Sequence, residues 1–264
     1  MRVLARHDLT LAAAVLAWIP AVLLADRGAS APRQGVLGLG TWVLLLALLA
    51  WQSPMVGVQT MVVVGFATVV EYTFSPLLHV YVYRLHNVPA FVPPGHGLVY
   101  LAALAIGRSA VLRQRARAAV VATVVVAGLY AAWGLSPLAP RQDMLGAFWF
   151  LCLLGFLRWG RSPLLYVGAF VVVSYLELLG TGLGTWVWQA RDSTGIVSMG
   201  NPPSGAAGGY GWFDLAAVAA AGALVARAPG GRLRGKGASV PAEHLHCGVM
   251  DESVTAHGAA PGEH

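Results

Sequence analysis

Two glutamates lie inside long apolar segments, where an ionisable side chain is costly to keep. Glu71 follows two valines, and Glu177 precedes two leucines. An acidic residue within a membrane-embedded helix usually has a function. Burial favours the neutral form of a carboxyl group, so either side chain could donate a proton at ordinary pH. We therefore predict that both glutamates act as acid or base groups.

The same short pattern follows each glutamate. Two aromatic residues separated by a valine come first, then a proline pair, then a small apolar segment. Because the order is preserved and includes acidic, aromatic and proline residues, we favour an internal duplication over chance similarity between apolar helices. The first copy holds Tyr81-Val82-Tyr83, Pro93-Pro94 and Tyr100-Leu101-Ala102-Ala103, and the second holds Trp186-Val187-Trp188, Pro202-Pro203 and Asp214-Leu215-Ala216-Ala217.

Three histidines occur only in the first copy. His79, His86 and His96 all follow Glu71, and the second copy has Gly or Arg in the matching region. We predict that they assist Glu71 as acid, base or hydrogen-bond partners. Three imidazoles and one carboxylate would also suit zinc or iron, but the spacing matches no metal signature, so we predict no metal and leave the cofactor open. Histidines that are simply solvated at the membrane surface are the third interpretation.

The paired aromatic residues and their neighbours are candidates for substrate binding. Aromatic rings could form a wall around an apolar or cationic molecule, or they could anchor helices at the membrane–water interface. The arginine near each aromatic pair could instead bind a glutamate and hold helices together. Backbone N–H groups of the proline-rich loops could hold an anion. We assign substrate binding to Tyr81, Tyr83, Trp186, Trp188, Asn201, Arg84 and Arg191.

The composition indicates which elements must position these residues. Hydrophobic residues make up 57% of the chain and charged residues 11%, and the mean hydropathy is +0.67. A soluble domain carries about 25% charged residues, so the composition indicates a polytopic helical membrane protein with the lipid bilayer as its partner. The net charge of +6 does not favour nucleic-acid binding, because the basic residues lie between apolar segments.

We predict an all-α membrane protein of about eight transmembrane helices, arranged as two parallel four-helix repeats. The first repeat covers 1–110 and the second 111–227, and residues 228–264 form a disordered cytoplasmic tail. Each repeat has an even number of spans, so both have the same orientation. Asp143 and Asp214 are expected at span starts. The predicted spans are 9–25, 36–51, 55–75, 96–108, 117–133, 143–158, 163–182 and 211–227.

The basic residues also predict the orientation. With the N-terminus inside, twelve Arg and Lys lie on the cytoplasmic side and five outside, which accounts for all seventeen. Cytoplasmic loops are enriched in basic residues, so both termini are predicted to be cytoplasmic and both aromatic loops extracytoplasmic. The abundance of Arg, Ala and Gly suggests a bacterial plasma-membrane protein. The first segment also has the features of a signal peptide, but the duplication requires it as a helix.

Two short segments resemble a known family. The acid, glycines and paired aromatic residues from Glu177 to Trp188 are similar to a run in the membrane carotenoid hydratases of bacteria, and Val88 to Pro93 is similar to a Val-Pro-x-x-x-Pro stretch of that family. This chain departs from the family at His96 and Gly97, where a bulky residue is favoured. The resemblance implies activity on a polyprenyl or carotenoid chain, with a glutamate protonating an alkene.

The leading hypothesis is an intramembrane enzyme that acts on a lipid or isoprenoid through the two glutamates. A small transporter is the first alternative, because parallel repeats and carboxylates near the membrane midplane also fit that class. A non-catalytic assembly protein is the second, with the glutamates as hydrogen bonds between helices. An enzyme predicts one apolar pocket that contains Glu71 and His96, whereas a transporter predicts a continuous polar path.

Overall fold

The computed structural model describes residues 2–227, and side-chain burial from 7 to 221. The tail 228–264, predicted to be disordered, lies outside the described residues. The described chain is mainly helical, with two short strands and the loops that join these elements. Its elements are α1 Arg2–Asp26, α2 Ala31–Leu49, α3 Pro54–Tyr72, a π-helical turn Thr73–Leu77, β1 Tyr81–Tyr83, α4 Val92–Arg108, α5 Ala110–Gln114, α6 Ala116–Leu135, α7 Met144–Trp159, α8 Pro163–Gly182, β2 Trp186–Trp188 and α9 Ala206–Arg227.

Each of the eight predicted spans coincides with a helix, and the short α5 is an addition. In the described part of the chain, five segments are helical, long and apolar enough to cross a membrane, which indicates a membrane protein. Helix α7 is apolar but shorter. Eight spans and two repeats stay predictions. The five segments are His7–Asp26, Ala31–Leu49, Pro54–Leu77, Ala116–Leu135 and Pro163–Gly182.

Helix α4 is the most enclosed element, with contacts to α1, α2, α3 and α8. It is apolar or small on nearly every side, which is typical of a buried helix. Two glycines allow α8 and α4 to approach closely. A Cβ on Gly107 would collide with the Leu164 carbonyl, and one on Gly168 would collide with the Ala103 carbonyl. Small residues of this kind permit close helix packing in membranes.

Proline and serine define the beginning of α3, and proline disrupts its end. Pro54 occupies the first turn of α3, where its missing N–H costs nothing, and the Ser53 hydroxyl accepts a hydrogen bond from the Val56 N–H. At the other end, Pro76 lies within the π-helical turn. Proline cannot donate to the helical ladder, so the chain leaves the helix there and turns back toward Glu71.

The two strands were not predicted from the sequence. They pair antiparallel, with Tyr81 opposite Trp188, Val82 opposite Val187 and Tyr83 opposite Trp186. Alternate residues of a strand point to the same face, so each strand directs both of its aromatic rings to one side. The aromatic–valine–aromatic spacing is the sequence feature from which these strands could have been predicted.

Residues 1–225 form one compact unit. Helices from both predicted repeats pack together in it, because α8 contacts both α1 and α4. The boundary at residue 110 therefore does not separate two bodies in space, and the division into repeats stays a prediction.

One predicted helix start is wrong and one is confirmed. Helix α9 begins at Ala206 rather than 211, so Asp214 lies two turns inside it and is buried. Asp143 does precede the first turn of α7, where its carboxylate accepts a hydrogen bond from the Gly146 N–H. The Pro-Pro-Ser-Gly segment leads directly into α9, and Gly208, Gly209 and Gly211 lie inside the helix.

Candidate functional site

Glu71 is hydrogen-bonded to three side chains. The hydroxyls of Tyr81 and Tyr83 both donate to Oε2 at 2.8 Å, and Nε2 of His96 lies 2.8 Å from Oε1. All four residues are buried. Both oxygens of the carboxyl group are thus occupied, and each partner is a side chain rather than a backbone group.

Three different elements bring these groups together. Glu71 lies in the last turn of α3, and the π-helical turn reverses the chain so that β1 passes back over it. The two tyrosines, spaced by one residue, point to the same face of β1. His96 reaches Glu71 from the first turns of α4, where it stacks on Tyr210 with ring centroids 5.2 Å apart.

Glu177 has a simpler set of partners. The indole N–H groups of Trp186 and Trp188 both donate to Oε2 at 3.1 Å. Gly180 makes this possible, because a Cβ there would collide with the Trp186 ring. The absence of a side chain at Gly180, about one turn after Glu177, therefore leaves room for the Trp186 indole to reach the carboxyl group.

The sheet joins the two carboxyl sites. Each strand supplies donors to the glutamate that precedes it in the chain, and the strands pair with one another. Rings also meet across the sheet, with centroids 4.6 Å apart for Tyr81 and Trp188 and 6.0 Å apart for Tyr83 and Trp186. The same local arrangement thus occurs twice, once with tyrosines and once with tryptophans.

Burial affects the two phenols, which lie outside the candidate spans. Burial, and next the charge of Glu71, raise the pKa of Tyr81 and of Tyr83 well above the ordinary value. The two phenols therefore remain neutral hydrogen-bond donors.

Both carboxyl groups line one cavity of about 450 Å³. This volume lies within the range of cavities that hold small organic molecules, about 300–1,000 Å³. Among the described residues, twenty-seven line the cavity; twelve of these are aromatic and none is Arg or Lys. The aromatic residues are Trp18, Phe66, Phe74, Tyr81, Tyr83, Phe91, Trp149, Trp186, Trp188, Tyr210, Trp212 and Phe213.

The four aromatic residues predicted to bind substrate all belong to this cavity. Tyr81, Tyr83, Trp186 and Trp188 are each more than nine-tenths buried. Their polar side-chain atoms bond the carboxyl oxygens of Glu71 and Glu177. Their position agrees with the predicted aromatic wall.

Only one of the three predicted histidines reaches Glu71. His96 is buried in the site, whereas His79 and His86 are exposed and do not line the cavity. Both exposed histidines have a left-handed backbone, with φ of 52° and 58°, at turns on either side of β1. They shape the chain around the strand, and the three-histidine arrangement does not form.

The two predicted arginines lie away from the carboxyl groups. Arg84 donates to the carbonyls of Asp26 and Ala29, each at 2.7 Å, and its guanidinium is 3.4 Å from the Asp26 carboxylate. Arg191 donates to the Gly195 carbonyl on the surface. The interpretation of these arginines as ion-pair partners of Glu71 or Glu177 is therefore wrong.

Asn201 and its loop support the site from outside. The Asn201 side chain accepts a hydrogen bond from the backbone N–H of Trp188, and it lines a separate, smaller cavity. The backbone N–H groups of Gly200 and Ser204 donate to Asp143. The anion at this proline-rich loop is thus a carboxylate of the protein itself.

Several cavity residues were missed by sequence reasoning. Tyr210 lies between the two halves of the site and stacks on His96, while Phe213 meets the same ring edge-on. Placing the last span at 211 left Tyr210 in a loop. The earlier start of α9 brings it to the cavity wall.

Among the described residues, no group of three His, Cys, Asp or Glu side chains is arranged to hold a metal ion. No family model, curated protein or solved structure matches this chain.

Proposed function

We propose that this protein is a multi-pass membrane enzyme that performs acid–base chemistry on the apolar chain of a lipid or isoprenoid. The observation that carries the proposal is that Glu71 and Glu177 line the same apolar cavity. Ligand sites typically combine apolar walls with a few polar groups that fix orientation. Here the polar groups include two carboxyl groups and one imidazole, which are the side chains of proton transfer.

The apolar walls favour a substrate that is itself apolar. A water-soluble substrate would lose its hydration on entering and find few partners, which costs free energy. An isoprenoid or acyl chain loses nothing of this kind. The resemblance to membrane carotenoid hydratases points to the same class of substrate and stays a prediction.

The partners of the two glutamates argue against a purely structural role. In the described part of the chain, all five hydrogen bonds of their carboxyl groups are made with Tyr, His or Trp side chains. Glutamates that only fasten helices would be expected to bond neighbouring backbone. A transporter would be expected to have a polar path between the two membrane faces, and the mainly apolar walls of this cavity do not favour one.

The proposed location is a bacterial plasma membrane with both termini in the cytoplasm. The distribution of basic residues supports this orientation, because Arg and Lys concentrate in the segments predicted to lie inside. The paired strands would then lie toward the extracytoplasmic side. A long apolar substrate would enter from the lipid.

Lipid profiling of the host tests the proposed activity. A strain that lacks the gene is complemented with the wild type, Glu71→Gln, Glu177→Gln or Leu178→Met. We expect a precursor to accumulate in both Glu variants, because Gln cannot exchange a proton. Leu178→Met is the control, since Leu178 lies next to Glu177 in the chain but is exposed and is not among the residues that line the cavity. The substitution nearly conserves volume, and it should keep the wild-type profile.

Restoration of the lipid profile by both Glu variants would contradict the proposal. If loss of the gene changes the lipid profile but both Glu variants restore it, the carboxyl groups do not act in catalysis. Detection of each variant in the membrane fraction excludes failed expression as the reason.

A further inference from the structure

The two carboxyl groups of the cavity share one kind of partner, a neutral donor. Two phenol hydroxyls of β1 donate to Oε2 of Glu71, and two indole N–H groups of β2 donate to Oε2 of Glu177. Hydrogen bonds donated to a carboxyl group favour its charged form, but these donors bring no positive charge. In the part of the chain that the structure describes, no Arg or Lys lies within salt-bridge distance of either glutamate. A carboxylate at either position therefore lacks a basic counter-ion of the Arg or Lys kind.

His96 is the basic group of the cavity, and it does not reverse this charge balance. Its Nε2 lies 2.8 Å from Oε1 of Glu71, and the proton between them can belong to either partner. The pair is neutral whether the carboxyl group or the imidazole holds the acidic proton, and it is negative once that proton is lost. Glu177 is likewise either neutral or negative. In each of these states the polar groups of the cavity favour a cation over an anion.

The walls of the cavity favour one kind of cation. Aromatic faces attract cations, but the apolar walls cannot replace the water around a strongly hydrated ammonium group. Such a group carries three N–H donors, and in the described part of the chain three of the four carboxyl oxygens already have partners. A quaternary ammonium group has no N–H, so it needs only negative charge and ring faces.

The cavity also reaches the surface of the protein beside a membrane helix. Phe66 of α3 and Trp212 of α9 both line it, yet 39% and 48% of their surfaces are exposed. Phe66 lies within Pro54–Leu77, one of the segments that are apolar enough to cross a membrane. A ligand that enters at this position needs an apolar part that dissolves in the bilayer. The position therefore favours an amphiphile over a small hydrated cation.

We infer that the cavity binds the positively charged group of an amphiphile, a weakly hydrated organic cation of the quaternary ammonium kind, with the carboxyl groups of Glu71 and Glu177 as its counter-charges. The inference goes beyond the proposed function, which concerns the apolar chain of the ligand, and it does not depend on catalysis. The carboxyl groups supply the negative charge, and the aromatic rings replace the water that such a cation gives up at little cost.

Two probes of similar size and shape test the sign of the charge. Binding of tetraphenylphosphonium, a cation, and of tetraphenylborate, an anion, to the purified full-length protein is measured in detergent, with protein-free micelles as the blank. We expect the cation to bind the wild type at least about tenfold more tightly.

Variants of the same protein show whether the carboxyl groups cause this preference. Glu71→Gln/Glu177→Gln should lose most of it, because the amides carry no charge. Leu178→Met, an exposed change next to Glu177, should keep it. Equal binding of the probes, tighter binding of the anion, or an undiminished preference in the double variant would overturn the inference.

The pH dependence of binding to the wild type keeps the test decisive if the double variant does not fold. Arg84 and Asp26 pair with each other outside the cavity wall, and Asp214 of α9 is buried but does not line it. Among the described residues, the titratable side chains that do line it, on α3, β1, α4, α8 and α9, are Glu71, Tyr81, Tyr83, His96, Glu177 and Tyr210.

Each of these groups becomes less negative or more positive as the pH falls. The affinity for tetraphenylphosphonium relative to tetraphenylborate should therefore fall at least about threefold between about pH 8 and about pH 5. A ratio that stays constant, or that rises as the pH falls, would refute the carboxyl groups as counter-charges.

A second matched pair tests the kind of cation. Benzyltrimethylammonium has no N–H group, whereas benzylammonium carries a full set of N–H donors that must be satisfied. We expect benzyltrimethylammonium to bind at least about threefold more tightly. Equal or tighter binding of benzylammonium would refute the assignment to a quaternary ammonium group.

These outcomes are separate from those of the proposed function. No preference for the cation, together with a lipid profile that requires both glutamates, refutes only this inference. A clear preference for the cation, together with a lipid profile that both Glu variants restore, refutes only the catalytic proposal.

Discussion

The rings of Tyr81 and Trp188 lie against each other with centroids 4.6 Å apart, although their polar atoms bond different carboxyl groups. The Tyr81 hydroxyl donates to Glu71, and the Trp188 indole donates to Glu177. Because the residues are directly opposite in the sheet, movement of either strand would disturb both sites. The sheet therefore makes the two carboxyl groups one structural unit.

Removing one donor from Glu71 should destabilise the protein. In Tyr83→Phe the ring remains but Oε2 of Glu71 loses one of its two hydroxyl donors. Hydrogen bonds to a charged group contribute about 1.5–3 kcal/mol, so we expect a loss of roughly that size. Chemical unfolding in detergent measures the change in the free energy of unfolding.

The control for this change is Tyr72→Phe. Tyr72 is exposed and lies beside Glu71 in the chain, so its substitution should change stability by less than about 0.5 kcal/mol. Equal losses in the two variants would mean that the hydrogen bond to Glu71 contributes nothing specific.

The helices and the two glutamates could be predicted from sequence because apolar runs and isolated acids are local signals. Each predicted span overlaps a helix, and both glutamates are buried as expected. The aromatic pairs were recognised too, but not as strands, because three residues between membrane helices give only a weak strand signal. The spacing of two residues becomes informative once both rings of a pair are expected to contact the same carboxyl group, because alternate residues of a strand point to the same face.

The partners of the charged residues could not be predicted, because contacts between distant segments leave no local pattern. Arg84 contacts Asp26, 58 residues away. Asp143 contacts Ser204, 61 residues away. The sequence placed an arginine near each glutamate, but the turns at His79 and His86 direct the chain elsewhere. Only the folded backbone determines which of three histidines reaches Glu71.

Gly180 should be essential for the position of Trp186. A Cβ at residue 180 would overlap the Trp186 ring, so Gly180→Ala must displace the indole from Glu177. Overpacking of this kind costs about 1–3 kcal/mol, and we expect a loss in that range. Unfolding measures the loss, and tryptophan fluorescence reports the changed surroundings of the indole.

Gly182→Ala is the matched control, with the opposite sign expected. No atom lies within 4 Å of a Cβ at residue 182, which is the last residue of α8. Alanine is favoured over glycine in helices by up to about 1 kcal/mol, so this variant should be as stable as the wild type or slightly more stable. A destabilisation similar to that of Gly180→Ala would contradict the steric explanation.

The buried phenols should make stability fall at high pH. The pKa of Tyr81 and of Tyr83 is raised above the ordinary 10.0 by burial and then by the charge of Glu71. The folded protein therefore binds these protons more tightly than the unfolded chain does. Their contribution is fully present below pH 10 and is lost as the pH rises above the unfolded value. Unfolding free energies measured on both sides of pH 10 test this.

Phenolate absorbance gives a second reading of the same effect. The double variant Tyr81→Phe/Tyr83→Phe should titrate like the wild type as long as both are folded. After denaturation the wild type should show two more phenolates than the variant. If the two extra phenolates appear in the folded wild type near pH 10, these hydroxyls are not protected as described.

Asp143 should stabilise the loop that leads into α9. Its buried carboxylate accepts hydrogen bonds from the N–H groups of Gly146, Gly200 and Ser204. In Asp143→Ala three backbone donors lose their acceptor, and unsatisfied buried donors cost about 1–3 kcal/mol each before the loop relaxes. We expect a net loss of about 2–4 kcal/mol in the free energy of unfolding.

A control variant and a binding measurement distinguish the role of the Asp143 hydrogen bonds from a general effect of removing a negative charge. Asp192 holds a surface turn through Thr194 and Val197, so Asp192→Asn should cost less than about 1 kcal/mol because the turn is solvated. Asp143→Ala should also weaken binding of farnesol, an isoprenoid alcohol used as a probe of the cavity, since α9 carries Tyr210 to the cavity wall. Unchanged binding together with reduced stability would mean that the cavity keeps its shape without the Asp143 contacts.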